Sequence, residues 1–584
     1  MTGGGPRSAT DTGLGVVAGL VGLAGVLWAA GLVSAWLSGH RLPRGDLAAG
    51  LAALAHLDDP SAGWRTSVGP PWLYWTSTVV LLGVAGLVVW VGWWLWHLDT
   101  QSRPDMLRAD GLASAGEIRR AAGARLVARR AATLRPSVRR ARPTDVGYRL
   151  GTARRVGCWA SIEDSMLLLG PPRSGKGMNI VIPMILDAPG AVVTTSTRPD
   201  NLAVTAAARA QGGPIAVFDP QGLAHTPTGL QTLRWSLVRG CDNPQTALIR
   251  ADALVSDAGR SGVENASFWR QQALSATRCL LHAAALDHRP PADLYRWSHT
   301  AAGAKEAVAI LAAHPDATGG WERALDAVIA ADQRTRDSVW AMVANTFAPL
   351  ADPAVLAAVT PHPGYEFDPT TFLASHGTLY LLGTATGASA TATLVAALIE
   401  DIFDAARRLA SGSPGQRLDP PLALVLDEAA NYPLPCLPAL MSEGGGSGIT
   451  TLAVLQSLSQ ARDRWGRDAA GAIWDSAIAK IVLGGSANAD DLADISRLIG
   501  DRDVSQWSQT VAGGAEHRTM SSSTHRRPIL EPADIRRLPI GHGLLLLRSA
   551  PPILMRLHPW TTRPDTRHLT HTRRQLSNKV NGGA

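Results

Sequence analysis

Cysteine, lysine and charged residues in general are scarce in this sequence. Charged residues make up 18% of the chain, against a usual share of about 25%, and apolar residues make up 46%, which excludes a disordered protein. The 584 residues suggest three or four domains of about 100–200 residues each. No C-x-x-C pair occurs, which excludes a disulfide framework and leaves no sign of a cysteine zinc site. The four cysteines are Cys158, Cys241, Cys279 and Cys436.

Two long apolar runs lie near the N-terminus, from Leu14 to Leu37 and from Trp72 to Trp96. Both exceed the roughly 20 residues that cross a hydrocarbon core about 30 Å thick, so they predict two transmembrane helices. Tryptophans cluster at both ends of the second run, as at the two interfaces of a membrane. A secretory signal peptide is disfavoured for the first run by its length, and a buried core helix for the second by its length and its tryptophans.

A strongly basic segment follows the second run. From Arg103 to Arg155 the chain carries 14 arginines and four acidic residues, a net charge of +10. Because the whole chain carries +7, the remainder sums to −3. Such a segment beside a membrane is typical of the cytosolic face, so we predict a multi-pass protein of the bacterial plasma membrane with both termini in the cytoplasm. Attraction to anionic lipid and contact with nucleic-acid phosphates both remain open for these arginines.

A glycine-rich loop follows the predicted strand Met166 to Leu169 and precedes an apolar helix. Its pattern is G-x-x-x-x-G-K, in which backbone N–H groups surround a phosphate and the lysine reaches the terminal phosphates. Only four of the 55 basic residues are lysines, and one of them occupies this position. Glycine replaces the Ser or Thr that usually binds Mg²⁺ after the lysine, so the hydroxyl ligand of the metal stays open. The predicted loop residues are Gly170, Pro171, Pro172, Arg173, Ser174, Gly175, Lys176 and Gly177.

Acidic and amide side chains follow two further predicted strands. The apolar run Leu422 to Leu426 ends in Asp427 and Glu428. In a parallel sheet these carboxylates lie beside the phosphate loop, where Asp427 would hold Mg²⁺ and Glu428 would polarise the attacking water. Gln456 follows the next strand and would sense a γ-phosphate or orient water. An ordinary polar strand end remains an alternative for each.

The wider pattern predicts an α/β fold, because six apolar strand candidates alternate with helical stretches. Two more strands, Leu544 to Leu547 and Ile553 to Leu557, are expected to close the sheet. The Ser/Thr-rich segment 509–527 is predicted to be a loop, and the basic tail from Arg563 onward is expected to be disordered.

Three motifs together resemble the TraG/TraD-type coupling proteins, the membrane ATPases of type IV secretion systems. They are the loop 170–177, which includes a glycine directly after the lysine, the run 426–431 (Leu-Asp-Glu-Ala-Ala-Asn) and the run 455–460 (Leu-Gln-Ser-Leu-Ser-Gln). The stretch 474–499 is similar to the TraM-recognition region of that family. The resemblance implies ATP and Mg²⁺ as cofactors, homohexamers, and an arginine from the neighbouring subunit, for which Arg173, Arg462 and Arg464 are open candidates.

The resemblance also implies a domain plan in which a RecA-like P-loop ATPase domain carries an inserted all-α domain and follows two transmembrane helices. The predicted parts are a membrane anchor at 1–100 with helices at about 14–37 and 72–96, a basic juxtamembrane segment at 101–150, the RecA-like domain at 151–242 and 369–560, the all-α domain at 243–368 and a polar basic tail at 561–584.

The implied function is an ATP-driven translocase that couples DNA, or a relaxase–DNA complex, to the proteins of a type IV secretion channel. Two alternatives stay open. The first is a nucleotide-switched receptor that docks secreted proteins without sustained transport. The second is a chromosomal DNA pump of the FtsK kind, which ranks lower because only two membrane spans and no winged-helix end are evident.

Overall fold

The computed structural model describes residues 9–101, 109–222, 231–255, 266–383, 391–511 and 518–581. The chain divides into two compact units, Met1–Leu107 and Arg108–Ala584. Residues 102–108 of the predicted basic segment and residues 512–517 of the predicted loop lie outside the described residues.

The first unit is helical and is built around aromatic side chains. Trp64 and Tyr74 are buried in a small core, and the Tyr74 hydroxyl donates to Leu27 O at 3.1 Å. The Trp28 indole donates to Gly45 O at 2.7 Å. The first bond joins the two long helices directly, and the second attaches the first long helix to the segment that connects them. The helices are α1 (Ala9–Leu37), α2 (Leu47–Ala52), α3 (Pro60–Trp64) and α4 (Pro71–Gln101).

Helix α4 contains the one stretch of the described residues that is long and apolar enough to cross a membrane. It covers Pro71–Gly92, 22 residues, and most of its side chains are exposed. The described apolar part of α1, Val21–Leu37, is shorter than a span. The second predicted transmembrane helix therefore has the required length and composition, and the first stays a prediction.

The second unit contains one large sheet and one separate hairpin. Its strands are β1 (Gly147–Ala153), β2 (Val156–Ser161), β3 (Met166–Leu169), β4 (Val192–Ser196), β5 (Ile215–Phe218), β6 (Gln231–Thr232), β7 (Thr378–Leu382), β8 (Leu422–Leu426), β9 (Ile449–Leu455), β10 (Ala479–Leu483), β11 (Asp501–Val511), β12 (Arg518–Pro528), β13 (His542–Leu547) and β14 (Ile553–Arg556).

Twelve strands of the described residues form the large sheet, in the order β2-β1-β14-β13-β10-β3-β9-β8-β4-β7-β5-β6. The part from β10 to β6 is parallel, and the four strands beyond β10 pair antiparallel. Strands β3, β8 and β9 are buried along their whole length, as expected for central strands covered on both faces. The sheet thus confirms the α/β class and places β3, β9, β8 and β4 side by side.

Helices cover this sheet and form a long insertion between β6 and β7. Among the described residues from 243 to 368, every regular element is helical. The helices of the second unit are α5 (Ala115–Ala122), α6 (Ala124–Arg129), α7 (Ala131–Leu134), α8 (Ile182–Asp187), α9 (Asp200–Arg209), α10 (Pro244–Val255), α11 (Ala266–Leu286), α12 (Pro291–His299), α13 (Lys305–Ala313), α14 (Trp321–Ile329), α15 (Gln333–Phe347), α16 (Pro353–Ala358), α17 (Pro369–Ala374), α18 (Ala392–Ser411), α19 (Leu437–Glu443), α20 (Leu458–Trp465), α21 (Arg467–Ser476), α22 (Ala489–Ile499), α23 (Pro532–Arg536) and α24 (Thr566–Asn581).

Much of the predicted basic segment packs against the large sheet. Ile118, Val127 and Leu134 of α5, α6 and α7 are buried in the main hydrophobic core. Arg135 forms a salt bridge with Asp419 at 2.9 Å. The arginines of this segment therefore lie on folded helices, because the apolar residues of the same helices are buried against the sheet.

Two expectations for the C-terminal region are wrong. Residues 509–511 and 518–527 of the segment predicted as a loop form parts of β11 and β12, because strands pair through backbone hydrogen bonds and Thr is itself favoured in strands. The tail expected to be disordered forms α24. Its Leu569 is fully buried with Trp560, Ile182 and Val204, and Arg563 forms a salt bridge with Asp187 at 2.7 Å.

Candidate active site

The glycine-rich loop connects β3 to the helical segment that begins at Gly177. Gly170 donates its N–H to Leu455 O of β9 at 3.0 Å, which attaches the loop to the end of the neighbouring strand. Gly175 has a φ of +85°, and a Cβ at this position would lie 2.6 Å from Asn179 Nδ2. The left-handed backbone therefore favours glycine at 175, and a Cβ there would also displace the Asn179 amide.

The side chain of Lys176 folds back over the loop. Its Nζ donates to Gly170 O at 2.8 Å and to Pro171 O at 3.3 Å. Burial lowers the pKa of Lys176, and the carboxylates of Asp427 and Glu428 oppose this fall. A phosphate would offer the ammonium a charged acceptor, which makes a stronger hydrogen bond than these neutral carbonyls.

Ser174 gives the loop an unsatisfied polar group. Its Oγ is buried and has no hydrogen-bond partner among the described residues. Buried hydroxyls in native proteins are nearly always paired with protein, water or ligand. The loop thus has the backbone shape, the cation and the free hydroxyl that fit a bound phosphate chain.

A π-turn at Gly177–Val181 follows the loop and continues into α8. Pro183 lacks an N–H and cannot make the regular helical bond to residue 179, and Ile182 N–H bonds to Gly177 O instead. Turns of this kind are frequent at functional sites. A Cβ at Gly177 would meet nothing within 4 Å, so packing does not require glycine where a metal-binding hydroxyl usually stands.

Asp427 lies at the same edge of the sheet as the loop. It follows β8, which is separated from β3 by β9 alone. Burial, followed by the charge of Glu428, raises the pKa of Asp427 to about 6, and Lys176 opposes this rise. The Thr195 hydroxyl donates to Asp427 O at 2.8 Å and holds the backbone at this point. The structure therefore brings the two halves of the predicted site together.

Glu428 has an unusual backbone and a tightly held side chain. Its φ is +52°, in the left-handed region. Its Oε2 accepts hydrogen bonds from Thr197 Oγ1 at 2.6 Å and from Asn431 Nδ2 at 3.0 Å. Sequence reasoning did not find Thr197. The available signal was its place directly after the buried run that forms β4, next to β8 in the sheet.

Gln456 follows β9, between the phosphate loop and the acidic pair. Its backbone N–H donates to Gln460 Oε1 at 3.2 Å, and Ser457 accepts the N–H of Gln460 as the N-cap of α20. This cap fixes the start of α20 and thereby the position of Gln456. Its predicted role in orienting water stays a prediction.

The three arginine candidates differ in their surroundings. Arg173 is exposed within the loop and has a φ of +64°. Arg462 pairs with buried Asp491 at 3.0 Å, and Asp491 also accepts the N–H of Leu458. Arg464 lies 3.8 Å from the adjacent Asp463. The pair with Asp491 ties Arg462 to its own subunit.

Comparison with known proteins gives a family match for the second half of this site. Residues 421–540 match the family described as the TraM recognition site of TraD and TraG. The matched segment contains Asp427, Glu428 and Gln456. A search of curated protein sequences finds no match.

Solved structures of one coupling protein share the fold. The unbound form of the bacterial conjugative coupling protein TrwBdeltaN70 aligns with a TM-score of 0.53 at 17% identity, over 77% of this chain and 94% of that chain. The plasmid coupling protein TrwB with the non-hydrolysable ATP analogue ADPNP gives 0.53 at 18% identity, over 77% and 93%. TrwB with ADP and Mg²⁺ gives 0.52 at 17% identity, over 78% and 95%. The resemblance to the coupling proteins is thus confirmed, by the family match over 421–540 and by the fold over most of the chain.

Proposed function

We propose that this protein is a membrane-anchored ATPase that couples DNA, as a nucleoprotein, to a type IV secretion channel. The observation that carries the proposal is the meeting of Lys176, Asp427 and Glu428 at one edge of a sheet whose fold is that of TrwB. The family match over residues 421–540 supports the same assignment.

The residues at this edge fit ATP and Mg²⁺. Lys176 would exchange its two carbonyl acceptors for phosphate oxygens, and the unpaired Ser174 hydroxyl would gain a partner. Asp427 supplies a hard oxygen ligand of the kind that Mg²⁺ prefers. Bound Mg²⁺ supplies charge neutralisation of the phosphates.

Two residues are proposed to act on the attacking water. Glu428 is the proposed base, because a carboxylate beside the phosphate loop can polarise a water for in-line attack. Gln456 lies between the loop and Glu428 in strand order and would orient the same water. The proton of that water would pass to Glu428.

The assembly and its partners follow from the same proposal. A homohexamer would place an arginine of the neighbouring subunit at each site, and Arg173 is the one of the three candidates that is exposed. Helices α1 and α4 would anchor the ring in the plasma membrane, with the sheet domain in the cytoplasm. DNA or a relaxase–DNA complex and the channel proteins are the proposed partners.

Steady-state ATP hydrolysis by the full-length protein in detergent, with and without DNA, tests this function. Wild-type protein should hydrolyse ATP, and Lys176→Ala should abolish turnover because the phosphate contact is lost. Lys305→Ala, which changes an exposed lysine at the start of α13, is the matched control and should leave the rate unchanged. Absence of ATP hydrolysis by the wild type in both conditions would refute the proposal.

A DNA-transfer assay in cells separates transport from docking. A motor requires hydrolysis, so the Lys176→Ala protein should support no transfer although it reaches the membrane in normal amounts. Delivery of cargo by this variant at the wild-type level would favour the nucleotide-switched receptor instead.

A further inference from the structure

The hydrogen bond between Thr197 and Glu428 has no part in the chemistry proposed above. Thr197 follows β4, while Glu428 follows β8, and the two residues are 231 positions apart in the chain. The bond is short, at 2.6 Å, and its acceptor is a carboxylate oxygen. A hydroxyl that donates to a carboxylate makes a stronger bond than one that donates to a neutral group.

Strand order gives this bond a direction. The sequence across the sheet is β3, β9, β8, β4, so Thr197 lies on the side of β8 that is opposite the phosphate loop. A water that attacks a phosphate on the loop must lie on the β9 side of Glu428. The Thr197 hydroxyl therefore holds the Glu428 carboxylate on the β4 side, away from the position of the attacking water.

The surrounding loops hold both partners in this arrangement. The hydroxyl of Tyr432 lies 3.0 Å from Ser196 O and 2.7 Å from Gly383 O, which links the turn after Glu428 to the end of β4. Asn431 N–H bonds to Glu428 O at 2.8 Å and supports the left-handed backbone of Glu428. Such a backbone is costly for a residue with a side chain and persists when neighbouring bonds impose it.

We propose that Thr197 is a positioning residue that restrains Glu428 in a resting orientation, so that hydrolysis is slow until this bond is released. The inference rests on the proposed function and adds a regulatory restraint to the same site. Asn431 contributes a second, weaker restraint, since its amide donates to the same Oε2 at 3.0 Å. Release lets the carboxylate turn toward the water at the phosphate loop.

The test compares kcat and KM of full-length variants in detergent with saturating ATP and Mg²⁺. Thr197→Val keeps the shape of the side chain and removes the donor, and should raise kcat about tenfold, the rate equivalent of one lost hydrogen bond to a charged group. KM and the affinity for a fluorescent ATP analogue should stay within about twofold. Thr197→Ser keeps the hydroxyl and should restore the wild-type kcat.

Three further variants make the result specific. The double variant Thr197→Val with Glu428→Gln should be inactive, because the gain in rate acts through the Glu428 carboxylate. Asn431→Ala should raise kcat by a smaller factor, and it decides the matter if Thr197→Val does not fold. Thr346→Val is the matched control, because this buried hydroxyl donates to Met342 O within α15, and it should leave kcat unchanged.

An unchanged or lower kcat in folded Thr197→Val would overturn the restraint, as would a Thr197→Ser protein that behaves like the valine variant. If kcat is unchanged in Asn431→Ala when the valine variant is unfolded, the restraint is equally refuted. The same series measures ATP hydrolysis by the wild type and by Lys176→Ala. If the wild type hydrolyses ATP and Lys176→Ala does not, the proposed function is retained even when the restraint is refuted. Absence of ATP hydrolysis by the wild type would instead refute the proposed function itself.

Discussion

Asp401 and Asp427 both lie near a cation, but only Asp401, which is buried, forms a salt bridge with its neighbouring cation. Asp401, on α18, forms a salt bridge with Arg250 of α10 at 2.7 Å and accepts the Trp235 indole N–H at 2.9 Å. The Arg250 guanidinium also stacks over the Trp235 ring at 4.6 Å. At Asp427, in contrast, the nearby Lys176 ammonium bonds to Gly170 O and Pro171 O.

The two aspartates show what distinguishes a structural charge pair from a prepared site. The Arg250–Asp401 pair attaches the inserted helices to α18. Its two opposite charges neutralise each other, so neither is available to a ligand. At the sheet edge, burial and then the charge of Glu428 raise the pKa of Asp427 to about 6, and the charge of Lys176 opposes this rise only in part. Strong pKa shifts at incompletely paired buried groups are typical of functional sites, and here phosphate and Mg²⁺ are the proposed missing charges.

The largest expected effect is on kcat, from a change at Glu428 beside Asp427. Glu428→Gln should lower kcat about 10²- to 10⁴-fold, because the amide cannot accept a proton from the attacking water. Nucleotide affinity and the midpoint of thermal unfolding should change little, and both are measured on the same preparation. A large fall in the midpoint would place Glu428 with the structural group instead.

A change at the structural aspartate, Asp401, should lower stability, whereas the change at Glu428 should lower kcat. Asp401→Ala leaves Arg250 buried without its counter-ion, which should cost about 3–5 kcal/mol in the free energy of unfolding. Chemical denaturation followed by tryptophan fluorescence would report this loss. Asp404→Ala removes an aspartate from a partly exposed pair with Arg408 on the same helix, and as the control it should cost less than about 1 kcal/mol.

Glu400, the residue before Asp401, is another buried acid, and it is only partly compensated. It extends the comparison because the stability of the protein should depend on pH through its titration. Burial raises the pKa of Glu400 to about 7, although its Oε1 accepts the Cys436 N–H at 3.0 Å. Because the unfolded chain ionises near 4.5, the folded protein should lose stability as the pH rises from there through about 7. Glu400→Gln should remove this loss, which amounts to up to about 3 kcal/mol.

Denaturation midpoints of wild type and Glu400→Gln across this range would check the sign. The two proteins should have similar stability near pH 4.5, and the variant should be more stable at pH 8. Parallel curves with no pH-dependent difference would contradict the assignment of this titration to Glu400.

Strands that end in chemically distinctive residues were predictable from the sequence. The runs before Gly170 and Asp427 are continuous and apolar, and the run before Gln456 is rich in residues that favour strands, so each is typical of a buried parallel strand whose carboxyl end carries the next polar residue. Strand β8 has the predicted bounds, Leu422–Leu426, and β3 has Met166–Leu169. The hairpin of β11 and β12 was not predictable in this way, because polar strands lack the alternation that marks a half-buried strand.

The C-terminal helix shows a second kind of limit. Its sequence is polar and basic. The helix docks on the domain through Leu569, which is buried against Trp560, Ile182 and Val204. Those partners are far apart in the chain, so no local window contains the reason for the helix to dock. The salt bridge of Arg563 with Asp187 has the same long-range origin.

The sequence alone identified the residues that we propose to bind phosphate and to supply acid chemistry, because a loop between a strand and a helix encodes its own conformation locally. Tertiary structure alone decided the neighbours of those residues. Thr197 reaches Glu428 only because β4 lies beside β8, and the order of strands in a sheet depends on how distant segments pack, which no short stretch of the chain specifies.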